Sequence, residues 1–193
     1  MTSPLRSALA ALVLFTGAVA LAQPAERPIP EAEREALLAL PWEQFDQTPR
    51  SGWRIFVNAE RSDYLTAAAV IEAYLARHPD LPARQRALCR YHGAMMHVYR
   101  AVRSGGDARL ALPGLRAALL DDQAKGAPSD WNHMVRATIA FLSDDRAALL
   151  DVQAQVAALP KGAAKWPDYP AELLANLGKP YGSWVPGFDK KPQ

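Results

Sequence analysis

The segment 127–159 reads APSDWNHMVRATIAFLSDDRAALLDVQAQVAAL, and its pattern decides the fold. Counted from Trp131, the residues Met134, Val135, Thr138, Phe141 and Leu142 return at steps of three, four, seven, ten and eleven. That is one face of a helix with a 3.6-residue period. Leu149, Val152, Val156 and Leu159 repeat the spacing. Between the two stripes, Ser143, Asp144 and Asp145 offer side-chain oxygens to the exposed N–H groups that open the second helix. Ala137 and Ala140, small and off the main stripe, allow a partner helix to come close. The stretch reads as an αα-hairpin, and the rest of the chain reads as more of the same.

Working back toward the N-terminus, Ala108–Asp122 keeps Leu112, Leu115 and Leu119 in phase but is interrupted by Pro113-Gly114. One turn, a kink and then a helix are expected there. Before it, Gly105-Gly106-Asp107 is a stop followed by a cap. Ala83–Arg103 is the longest predicted helix. At 100° per residue, Leu88, Tyr91, His92, Met95, Val98, Tyr99 and Val102 share an apolar arc. Arg86, Arg90, Gly93, His97 and Arg100 fill the opposite side, with Cys89 and Met96 at the border. A helix over Tyr64–Arg77 is ended by His78-Pro79-Asp80-Leu81-Pro82. Thr48-Pro49 reads as a cap and first-turn proline for a helix Pro49–Ala59 carrying Trp53, Phe56 and Val57. Glu31–Leu40 is a short helix stopped by Pro41, after which Pro41–Phe45 starts another turn.

Beyond Leu159 the prolines Pro160, Pro167, Pro170, Pro180 and Pro186 alternate with Trp166, Tyr169, Tyr181, Trp184 and Phe188. One short helix, Ala171–Leu177, is expected, with Gly178 as its cap. Such large apolar rings imply a C-terminal segment, 160–193, wrapped on the helical body and frayed over Asp189–Gln193.

The first 22 residues read as a cleaved signal peptide: Arg6, an apolar run Ala8–Val19, and a small-x-small site at Ala20-Leu21-Ala22. The run is too short for a convincing membrane span. A proline-rich spacer, 23–30, follows, and the helical domain is placed at 31–159. The expected location is therefore the periplasm or the exterior. Loss of the leader leaves 21 basic against 20 acidic side chains, so nothing marks the mature chain as a nucleic-acid binder. The single cysteine, Cys89, excludes an internal disulfide, leaving helix packing to hold the fold.

Two resemblances follow from these residues. SDYLTAAAVIEAYLARHPD, with Asp63 and Tyr64 opening, Ala67 three further on and Pro79 closing, resembles the second helix of a tetratricopeptide (TPR) repeat. The caps Asp63, Asp107 and Asp145 are spaced 44 and 38 residues apart, not a steady 34, so the likeness implies an uneven array. WNHMVRATIAFL, through Trp131, Asn132, Val135, Ala137, Thr138, Ala140, Phe141 and Leu142, is similar to a signature of small uncharacterised exported bacterial helical proteins. Neither resemblance brings an activity.

The strings Gly-x-Ser-x-Gly, His-Glu-x-x-His and Cys-x-x-Cys are missing, as is a phosphate-binding glycine loop, so no catalytic residue and no cofactor are assigned. Cys89, His92 and Met96 fall within about 60° on one helix face, a soft set that Cu(I) accepts. Core packing accounts for them more simply, since no second cluster completes the coordination. Arg86, Arg90, His97 and Arg100 form a basic stripe suited to an anion or acidic partner, or simply to water. The tail aromatics could stack on cell-wall sugars, or pack inward. The expectation is an all-α chain of three antiparallel helical hairpins, TPR-like but irregular. A groove between hairpins would hold a protein or peptide partner, with Trp53, Arg90, Tyr91 and Asn132 as its candidate lining. Copper or small-ligand binding and a cell-wall carbohydrate role, hydrolase included, are the alternatives.

Overall fold

The molecule is arranged around its longest helix, Ala83–Ser104. It is known from a computed structural model that describes residues 28–57, 62–121 and 129–185. Every regular element among those residues is helical and none is a strand. The expected leader, most of the spacer and the last eight residues lie outside them, as do 58–61 and 122–128. The helices are α1 (Glu31–Leu38), α2 (Tyr64–Arg77), α3 (Ala83–Ser104), α4 (Leu112–Ala117), α5 (Ser129–Leu142), α6 (Arg146–Ala157) and α7 (Tyr169–Ala175). No helix of the described residues is long and apolar enough to cross a membrane.

Helix α2 has the predicted bounds because both of its ends are chemically marked. Asp63 accepts from Thr66 N at the start, and the His78–Pro82 stretch ends it. It packs antiparallel to α3: Tyr64 meets Tyr99, Ile71 meets position 93, and Tyr74 lies beside Cys89, one number rising as the other falls. Gly93 is a correction to the wheel reading. It is buried, not on a polar side, and a Cβ there would sit 3.3 Å from Ile71 Cγ2. On another face, a Cβ on Gly114 of α4 would sit 3.0 Å from Ala94 Cβ. Small residues thus bring α2 and α4 tightly onto α3, and four consecutive α3 residues, Gly93–Met96, are buried.

The N-terminal layer departs from prediction. The expected helix Pro49–Ala59 is, in the described part, one 3-10 turn, Gly52–Phe56. Gly52 has φ +52, and a Cβ on it would lie 2.0 Å from Phe45 O, so the chain doubles back where a helix needs to run on. Thr48 does not cap a following helix. Its N–H and hydroxyl both donate to Glu43 O, at 2.9 and 3.0 Å, and close a π turn, Glu43–Gln47. This layer is fastened to the end of α2. Tyr74 OH donates to Leu40 O at 3.1 Å, His78 Nε2 donates to Leu38 O at 2.8 Å, Arg77 pairs with Glu35, and Phe45 stacks on Tyr74.

Helix α5 belongs to two cores. Trp131 and Val135, on its first turns, join the core built by α1–α4. Ala137, Ala140 and Phe141 join a second core with Leu149, Val152 and Val156 of α6 and Leu173 of α7. Asp145 caps α6 by accepting from Ala148 N at 2.9 Å. The seam between α4 and α5 is polar. Asn132 exchanges both amide bonds with the backbone of Leu120, at 2.9 and 2.8 Å, and Trp131 Nε1 donates to Ala118 O at 2.9 Å. Because those backbone groups are taken by α5, α4 stops at Ala117, short of the expected Asp122. In the described part of the C-terminal segment, Tyr181 and Trp184 lie against Phe141. Its helix begins two residues earlier than expected, with Pro170 in the first turn, and ends at Ala175.

Candidate functional site

Of the three residues read as candidate metal ligands, Cys89 and Met96 lie inside the first core and His92 is only partly buried at its edge. Cys89 and Met96 are buried, and His92 is bonded through Nδ1 to Asp46 at 2.8 Å. A carboxylate can only accept, so Nδ1 carries a proton. Asp46, fully buried, also accepts from Trp53 Nε1 at 3.0 Å and Gln47 Nε2 at 2.5 Å. Burial pushes its carboxyl up. The hydrogen bond and charge of His92, with the Trp53 and Gln47 bonds, outweigh that and hold it below the usual carboxylate range. Cys89 is pushed up to about 12, first by burial and then by Asp46, so its thiol stays protonated at neutral pH. Among the described residues, no three of His, Cys, Asp and Glu converge as a metal site. This constellation is a buried polar knot tying the π turn and 3-10 turn to α3.

The four residues predicted to line a groove each make contacts within the fold, and none of them lines the recess described below. Trp53 is the donor to Asp46 inside the core, with Arg54 over its ring at 4.3 Å. Asn132 is spent on Leu120. Arg90 is exposed, its Nη1 donating to Ala117 O at 2.9 Å at the end of α4. Tyr91 sets its ring edge-on to Trp131. Burial raises the Tyr91 hydroxyl well above its ordinary value, while bonds with Thr138 and Tyr181 oppose the rise.

Those bonds belong to a buried run of hydroxyls. Thr138 Oγ1 donates to Met134 O at 3.0 Å and lies 2.9 Å from Tyr169 OH, which lies 2.9 Å from Tyr181 OH. With the Thr138 proton directed to a carbonyl, Tyr169 donates to Thr138 and Tyr181 donates to Tyr169. Residues from α3, α5, α7 and the wrap meet here.

Tyr169 is also a wall of the recess that the fold leaves open to solvent. Asp130, His133 and Met134, at i, i+3 and i+4 on α5, form one side, facing Val156 of α6. Trp166 and Pro170 complete the wall. The space is about 220 Å³ with the solvent at its mouth included. That is below the roughly 300–1,000 Å³ of pockets that enclose small molecules. At most it admits the end of one side chain.

Two features of the lining stand out. Trp166, at 38% exposure, remains open to solvent while Tyr169, Tyr181 and Trp184 are partly buried. Among the described residues, Asp130 Oδ1 is buried without a hydrogen-bond partner. The sequence marks Trp166 among the tail aromatics but gives no sign of Asp130, because a single acid in a first helical turn is the commonest of surface features. The sequence is equally silent on Asp46, because two of its three side-chain partners lie seven and 46 positions away. No family model, curated protein or solved structure matches the chain.

Proposed function

We propose that the protein is an exported, non-enzymatic binding protein. In this reading its helix pairs form an irregular TPR-like array, and a protein or peptide partner docks by seating a side chain in the recess between α5 and the start of α7. The support is the recess itself, an open, mostly apolar depression carrying an exposed tryptophan and one buried acceptor without a donor. Anchoring by one side chain in a small pocket is a common way for a groove to hold a peptide. The leader-like residues 1–22 supply the export half of the proposal.

The test is selection of a phage-displayed random peptide library on the full chain, followed by calorimetry with the selected peptides. Binding that falls at least tenfold in Trp166→Ala, with the helical circular-dichroism signal kept, supports the reading. A failure to select any peptide, or peptides indifferent to Trp166→Ala, overturns it.

A further inference from the structure

We infer that the group seated in the recess is a cation, the guanidinium or ammonium of a basic side chain, held between the Trp166 ring and the Asp130 carboxylate. This rests on the binding reading above and names the chemistry of its anchor.

Three observations converge on it. First, Asp130 Oδ1 is buried with no donor, and Asp130 makes no ion pair among the described residues. A carboxylate only accepts, and a buried acceptor left without a donor is unfavourable until a ligand supplies one. Second, Trp166 is exposed and its ring already accepts positive charge, since Lys165 Nζ lies over it 4.6 Å from the centroid. Third, Met134, Val156 and Pro170 give the rest of the wall an apolar surface that matches the methylene stem of lysine or arginine. An acidic group would meet Asp130 as a like charge, and an aliphatic one would leave it unsatisfied. Arginine fits best, because its planar fork stacks on an indole while donating to a carboxylate.

Lys165 makes a second, independent prediction. It is a built-in cation on the same ring, so its removal frees the face and removes a like charge.

The experiment uses the full chain and the peptides selected on it. The expected result is a consensus containing arginine or lysine, affinity at least tenfold lower for Asp130→Asn, and affinity a few-fold higher for Lys165→Gln. Replacing the consensus basic residue by alanine removes binding. Peptides that need Trp166 but lack a basic residue, or that bind Asp130→Asn and wild type alike, overturn the cation assignment and leave the binding reading standing. Soluble peptidoglycan fragments that bind through Trp166 and ignore Asp130→Asn overturn it in favour of sugar stacking. Absence of any recess-dependent peptide is the separate failure of the binding reading.

Discussion

Asp46 shows how far a single residue can matter without announcing itself. It accepts from three side chains in the dry interior, and its ionised form is held by them. Its carboxyl is lowered in the folded state from the ordinary 3.8. Its contribution is therefore complete above that value and is lost as the pH falls through the folded-state value. Asp46→Ala should cost about 3 kcal/mol by stranding the donors. Asp46→Asn should flatten the fall of Tm as the pH drops below 3.8, measured by thermal melts. A slope identical to wild type would show that Asp46 carries none of the acid sensitivity. Asp144 offers the opposite sign. It ends α5 with φ +55, a conformation easy for glycine and strained for aspartate. Asp144→Gly should stabilise by about 1 kcal/mol, raising Tm by roughly 2–4 °C. Asp46 leaves no trace in the sequence because its partners Trp53 and His92 come from other elements, and Asp144 reads as a possible cap for α6 because a positive φ leaves no periodic trace. Asp145, next in line, was legible, since a cap acts on N–H groups two and three positions on.

At the scale of elements, the amphipathic stripes located helices well where both ends carried local chemistry. Helix α2 sits between Asp63 and the Pro79 region, and α3 ends on the left-handed Gly105. They failed where a distant segment dictated the path. Gly52 turns because the Phe45 backbone is pressed against it, and α4 stops because Asn132 takes the Leu120 backbone. The wheel misplaced Gly93 for a related reason: at that small residue a neighbouring helix, through Ile71, takes the place of water. Close packing at the small residues gives a prediction. Gly114→Val would force a branched side chain into Ala94 and should destabilise by about 1–3 kcal/mol, read by urea denaturation. An unchanged midpoint would mean that α4 can move away from α3 freely.

For the whole molecule, the all-helical reading holds among the described residues, and the wrap was legible from its aromatics, which have little to gain from water. What sequence could not show was that α5 serves two cores. Leu173 of α7 is fully buried in the second. Leu173→Ala should cost about 2–5 kcal/mol. Hydrogen exchange should then rise first in α6, α7 and the end of α5, while α2 and α3 keep their protection. Simultaneous loss throughout would show the two cores to be one cooperative unit. The recess was half legible: its indole came from composition, its acid only from the assembled helices.

Tyr169 stands with its ring on the outside wall and its oxygen midway along the hidden hydroxyl run. A side chain seated against that ring, as proposed above, would therefore press on a residue whose oxygen also belongs to the bonds joining α5 to the tail end of the chain.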